Sequence, residues 1–189
     1  MGCDIHMYVE TRKNDKWNKV GPTWKMEYWD GLSDEPYEGR NYRLFGLLAN
    51  VRNGYGFAGC DTGNAITPID MPRGLPADVS YQIQKISDNW GEDGHSHSWF
   101  TLKELLDVDW HGNVLTIRGY VSKQEAEEFR KNATLPSSWC GGTTNPNYEQ
   151  IEWCSGFYDS MKDFVDTTIP RLQELGDPDR VRIVFFFDN

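Results

Sequence analysis

Polar and apolar residues alternate strictly from Asp4 to Glu10, the period of a strand with one face buried. Asn14-Asp15 offers a turn into a second short strand around Trp17 to Val20. From 21 to 39, glycine, proline, aspartate and aromatics follow no period and predict an ordered loop. Asn41 is a cap for a helix running to about Val51, because Leu44, Leu47, Leu48 and Val51 recur at helical spacing. A glycine- and proline-rich stretch from Asn53 to Pro76 follows, and loops of that length in compact domains are usually functional.

Asp78 is placed to cap a short helix to Ser87. Thr101-Leu102-Lys103-Glu104 is a capping box opening a brief helix through Leu106; Ser122-Lys123-Gln124-Glu125 is a second, opening a helix to about Asn132. Between them Asn113 to Val121 reads as a strand, and 133–147 reads as a flexible loop. A helix is predicted over 157–175, kinked or broken at Pro170 and stopped by Gly176 and Pro178. Val181 to Phe187 is nearly all apolar, as suits a strand buried on both faces in the middle of a sheet. These elements predict an α+β fold: a single compact domain over 1–189, with a central mixed or antiparallel sheet, packed helices and long ordered loops.

Composition fits a core built on rings. Apolar residues are only 38% of the chain, but aromatics reach 14% with eight Trp, and each ring buries a large area. The net charge of −10 argues against non-specific binding to nucleic acid or to an anionic membrane. No apolar run is long enough to span a bilayer, and the first ten residues lack the basic and apolar regions of a secretory signal, so a cytoplasmic setting is expected. Cys3, Cys60, Cys140 and Cys154 are scattered and are expected to be free thiols there.

Two groups of residues could carry chemistry. In an extended 4–8 segment Asp4, His6 and Tyr8 share a face, and in an extended 95–97 segment His95 and His97 share one. Imidazoles with a carboxylate suit a divalent metal such as zinc or manganese, or general acid and base work near neutral pH. Asp4, His6, His95 and His97 are therefore candidates both as catalytic groups and as metal ligands. The plainer reading makes Asp4 and His6 a hydrogen-bonded structural pair, and 93–96 a turn that caps its own backbone. Cys3 falls on the apolar face of the alternation, which weakens it as a nucleophile.

The second group is an arginine island. Arg40, Arg43, Arg52 and Arg73 face only Asp61 and Asp70 over the same stretch, a local net charge of +2 in an acidic chain. The planar guanidinium fork suits phosphate, although carboxylates elsewhere in the fold are the alternative partners. Gly54-Tyr55-Gly56-Phe57-Ala58-Gly59 matches the dinucleotide fingerprint by letter, but a helix precedes it and turn residues follow, so that assignment is rejected. Such a loop still offers backbone N–H groups to an anion. Trp24, Tyr28, Trp29, Tyr37, Tyr42, Trp90 and Trp99 are either core or stacking platforms; Trp90 is the candidate for stacking a base, and Trp99 and Trp110 are expected in the core.

Met1-Gly2-Cys3-Asp4-Ile5-His6-Met7-Tyr8-Val9-Glu10, Arg40-Asn41-Tyr42, Arg73-Gly74-Leu75-Pro76, Asp93-Gly94-His95-Ser96-His97-Ser98-Trp99 and Phe187-Asp188-Asn189 resemble an uncharacterised family of tailed-phage proteins. The resemblance implies a phage or prophage setting, where small proteins often act on host nucleotides or host defence, and brings no activity with it. The expectation is a pocket for a small phosphorylated, nucleotide-like ligand, with phosphate on the four arginines. Its enzymatic form is a metal- or His-dependent phosphodiester hydrolase. The alternatives are a non-catalytic sponge that sequesters the nucleotide, its site within one chain or between copies in a homo-oligomer, and an acidic inhibitor of a host protein.

Overall fold

The computed structural model describes residues 2–25 and 31–188; Tyr28, Trp29 and the two terminal residues lie outside them. The fold is α+β. Its centre is a four-stranded antiparallel sheet in the order β2-β1-β8-β5, formed by β1 (Ile5–Lys13), β2 (Lys16–Lys19), β5 (His95–Thr101) and β8 (Val181–Phe187). Every residue of β8 is buried, which explains its unbroken apolar run: it pairs with β1 on one side and β5 on the other and is covered on both faces.

The two faces of the sheet carry different cores. Ile5, Met7, Val9, Ile183, Phe185 and Phe187 point into the larger one. There α1 (Tyr42–Ala49) packs, with Phe45 edge-on to Phe187 at 5.0 Å between ring centroids. Asn41 caps α1 as expected, accepting from the Arg43 and Leu44 amides. Its own amide donates to the Ser160 carbonyl at 2.8 Å, which ties the start of α1 to α5 (Phe157–Asp163). On the opposite face Tyr8, Val184 and Phe186 meet α2 (Tyr81–Trp90) through Ile83, Ile86 and Trp90. Burying each of these large side chains contributes roughly 1.5–3 kcal/mol.

A second antiparallel pair, β6 (Val114–Ser122) and β7 (Tyr148–Gly156), joins the larger core through Leu115, Ile117, Val121, Ile151 and Trp153. The capping box at Thr101 opens α3 (Leu102–Leu106), and Ser122 caps α4 (Lys123–Asn132). The 157–175 helix is divided: Met161 leaves helical geometry, 164–168 form a π-turn, and α6 (Ile169–Gln173) follows with Pro170 in its first turn. The wider turn accommodates the missing proline donor, so the break falls ahead of Pro170.

Three expectations are corrected. The 21–39 loop contains a small hairpin of β3 (Trp24–Lys25) and β4 (Leu32–Ser33). The helix expected to start at Asp78 begins at Tyr81 with Ser80 as its cap residue, because the Asp78 carboxylate binds Arg182 at 2.8 Å. Strand β7 was not expected at all: only Ile151 and Trp153 on it are buried apolar residues, too few to set a period. Cys3, Cys60, Cys140 and Cys154 are all free thiols, and no helix among the described residues is long and apolar enough to cross a membrane.

Candidate functional site

The sheet divides the candidate residues. His6 projects onto the α2 face, where Trp90 covers its ring at 4.3 Å and Phe186 lies at 5.2 Å. Its Nδ1 is 3.4 Å from Glu35 and its Nε2 is 3.4 Å from Asp188, so the imidazole sits between two carboxylates. Burial disfavours the charged ring, but hydrogen bonding and charge from Glu35 and Asp188 outweigh it and raise the pKa above the ordinary histidine value. Tyr8 donates to the same Glu35 oxygen at 3.0 Å. Asp4 lines the same surface cleft as His6, but its carboxylate is taken up in a two-pronged pair with Arg40, at 2.7 and 2.5 Å.

His95 and His97 do not share a face. Ser96 adopts a left-handed backbone (φ 52°) and β5 carries a bulge against β8 there. The extra residue inverts the alternation. His97 stacks on Phe186 at 5.0 Å on the α2 side, while His95 stacks on Phe187 at 6.1 Å on the other. His97 Nε2 meets the Ser87 hydroxyl at 2.8 Å, and burial together with the charge of His95 lowers its pKa. His95 Nδ1 meets the Ser96 hydroxyl at 3.0 Å. Asp4, His6, His95 and His97 thus fail to converge, and among the described residues no group of three or more His, Cys, Asp or Glu is placed to hold a metal ion. The flanking Glu35 and Asp188 address opposite ring nitrogens of His6, so they share no coordination point with it.

The arginines behave differently. Arg40, Arg43 and Arg52 line one cavity of about 370 Å³, enclosed by the start of α1, the glycine loop, the beginning of β6 and Trp139. That volume lies in the range of small-molecule sites. Arg73 is elsewhere: it binds Asp70 at 2.9 Å, Glu104 at 2.7 Å and the Trp99 carbonyl at 3.2 Å, and its guanidinium lies over Phe100 at 4.5 Å. Three of its five N–H donors are spent on the fold and two carboxylates offset its charge, so Arg73 leaves the phosphate set. Trp90 leaves the ligand set too, because His6 covers its ring and the cavity lies across the sheet.

Arg43 has the most unusual surroundings. Its guanidinium packs over the Trp139 ring at 4.9 Å, its Nη2 is buried without a hydrogen-bond partner, and no described carboxylate lies within ion-pair distance. Burial lowers its pKa, yet a guanidinium keeps its charge in a protein. Arg40 is half exposed and held by Asp4 at the surface, where such pairs are weak and exchangeable. Arg52 lies 5.7 Å from the Tyr42 ring, adopts a left-handed backbone (φ 53°) and acts on the Cys3 thiol. Cys3 itself is buried, and its pKa is raised by that burial.

The glycine loop is a tightly pinned wall. The Thr62 amide donates to the Gly54 carbonyl at 2.9 Å and the Gly56 amide to the Cys60 carbonyl at 2.8 Å. The Asn53 side chain clips the base of the loop by exchanging hydrogen bonds with the Ile66 backbone at 2.7 and 2.8 Å. Arg118 anchors the far limb to β6, its amide donating to the Thr62 carbonyl at 2.9 Å and its guanidinium to Asp61 at 2.5 Å. Gly63 lies against this strand at φ 133°, where an added Cβ would sit 2.0 Å from the Thr116 carbonyl oxygen.

Sequence reasoning missed Trp139, Asn53, Glu35, Asp188 and the buried pair Glu10–Arg182. Only the last had a signal, and only on one side: Arg182 is the single charge inside the otherwise apolar β8. Trp24 and Trp110 are buried; Trp99 is half-buried beneath Arg73. Compared with protein-family models, with curated proteins and with solved structures, the chain matches none.

Proposed function

We propose that this protein binds a small phosphorylated ligand in the cavity beside α1, and holds it rather than hydrolysing it. The observation that carries this reading is Arg43: a half-buried cation packed on Trp139, with one buried nitrogen left unspent. Burying an unpaired charge is costly unless something pairs with it, and a bound anion supplies that partner. Arg40 adds a second cation whose surface partner Asp4 is exchangeable, while the glycine loop forms the facing wall but spends the amides of Tyr55, Gly56, Gly59, Cys60 and Thr62 on neighbouring carbonyls. The walls also carry Asn53, Asn64, Thr62, Thr116 and Asp163, whereas the four residues read as acid–base or metal groups lie off this wall. Retention fits that inventory better than turnover. The resemblance to tailed-phage proteins gives the reading a setting, in which the protein withdraws a host signalling nucleotide from use.

Titration calorimetry and thermal shift with inorganic phosphate, pyrophosphate and mononucleotides test the proposal. Binding should raise the melting temperature in proportion to ligand excess over Kd. Arg43→Gln should remove the effect, and chromatography should return the ligand chemically unchanged. A wild-type protein that ignores every phosphorylated probe, or whose Arg43→Gln variant binds as well as the parent, refutes the reading. Products in the chromatogram would restore the hydrolase.

A further inference from the structure

The arginine cavity has a neighbour. A second cleft of about 690 Å³ adjoins it, and the two share Asn64, Ile66, Leu115 and Thr116 as a common boundary. The chemistry changes across that boundary. The first cleft is lined by Arg40, Arg43 and Arg52; among the described residues no lysine or arginine lines the second. Ile69 and Val108 are half-buried in its lining, with Leu47 and Phe157 buried beneath; Asp107, paired with Lys103 at 3.2 Å in an exposed and exchangeable contact, and Asp109, which accepts from the Gly112 amide at 2.8 Å, are exposed lining residues. Neither Asn64 nor Asn113 spends its side-chain amide on a described hydrogen bond.

We infer that the two clefts form one elongated site for a nucleoside monophosphate, with the phosphate on the arginines and the nucleoside in the second cleft; this rests on the anion-binding reading above. The reasoning is one of polarity. A ligand charged along its whole length, such as a polyphosphate or a nucleic-acid strand, would carry negative charge to Asp107 and Asp109. A ligand that is anionic at one end and neutral at the other meets cations first and then hydrogen-bond acceptors. A nucleoside supplies what the second cleft asks for: a flat apolar face for Ile69 and Val108, and hydroxyl and amino donors for the carboxylates. The unspent amides of Asn64 and Asn113 can both donate and accept, as base edges and sugar hydroxyls require.

Ala65 allows the two halves to be tested apart. It is exposed and lines the second cleft without lining the first. The experiment compares inorganic phosphate, ribose 5-phosphate and adenosine 5′-monophosphate by calorimetry on the wild type, Ala65→Trp and Asp107→Asn. The mononucleotide should bind the wild type at least ~10-fold more tightly than phosphate, a margin of about 1.4 kcal/mol. Ribose 5-phosphate should fall between them. Ala65→Trp should reduce the mononucleotide to the affinity of phosphate while phosphate itself is unchanged, and Asp107→Asn should weaken the mononucleotide alone, by several-fold. If phosphate binds but the nucleoside adds nothing, or if Ala65→Trp spares the mononucleotide, the two-cleft inference is wrong and the arginine pocket stands. If Ala65→Trp weakens both probes equally, Asp107→Asn decides, and an unchanged mononucleotide affinity there sinks the inference. If no probe binds the wild type, both readings fall together.

Discussion

At the scale of single residues, the same physics that makes Arg43 a ligand candidate makes it a liability in the empty protein. A half-buried guanidinium with one buried nitrogen unpartnered and no carboxylate beside it costs stability, so Arg43→Met should raise the unfolding free energy of the unliganded protein while abolishing anion binding. Denaturant titration of both proteins, with and without phosphate, separates the two effects. His6 and His97 make a complementary pair on either side of Phe186. The folded pKa of His6 is raised, so its stabilisation is complete below the unfolded value of about 6.5 and is lost as pH rises through the folded value. The folded pKa of His97 is depressed, so its contribution is intact above about 6.5 and is lost as pH falls through the folded value. His6→Gln should therefore destabilise more at pH 5 than at pH 8, and His97→Gln more at pH 8 than at pH 5. Urea midpoints for the two variants at the two pH values check this, and parallel shifts would contradict it.

At the scale of elements, local signals were legible and long-range ones were not. The Asn41 cap, the Thr101 capping box and the apolar run of β8 are written in adjacent residues, and each element formed where its pattern placed it. The opposite faces of His95 and His97 depend on one left-handed residue, Ser96, that nothing in the sequence announces. Strand β7 is a strand because β6 is beside it; Glu149, Glu152 and Tyr148 mask its period. The arginine island was legible as a cluster, but its division was not, because the Asp70 and Glu104 that engage Arg73 are a matter of folding. The glycine loop offers an element-scale test. Gly63→Ala forces a side chain into the Thr116 carbonyl at a backbone angle that L-residues avoid, which should cost about 1–3 kcal/mol and loosen the wall of the anion cavity. Phosphate affinity should fall with it, whereas Gly59→Ala, which is also strained at φ 74° but has open space around its Cβ, should leave affinity closer to the parent.

At the scale of the molecule, the sheet is closed by a strand that stands at the far end of the chain from its neighbour. Its charged member, Arg182, is buried with Glu10 at 2.7 Å, binds Asp78 at 2.8 Å and lies 4.0 Å from the Trp17 ring. Glu10 is fully buried and also accepts from the Ser80 amide at 2.6 Å. Removing Arg182 alone strands that carboxylate, so Arg182→Met should cost about 3–5 kcal/mol. The double variant Glu10→Leu/Arg182→Met should recover much of the loss, because the penalty lies in the uncompensated charge. Thermal unfolding of the two variants distinguishes this from a simple packing defect, in which the double variant would be the worse.

The position of β8 also constrains how the protein can be made. During synthesis β1 and its hairpin partner β2 are finished early, yet β8, the partner of β1 from Ile5 to Thr11, emerges only after α1, α2, both β6 and β7 and the divided helix have left the ribosome. Until then Met7 and Val9 have no strand to cover them, and β5 lacks the neighbour that joins it to the sheet. A nascent chain interrupted before Val181 is thus a set of elements without a centre, a client for chaperones or proteases. Folding becomes a single late event, and the arginine cavity, whose α1 wall packs on Phe187, is completed with it.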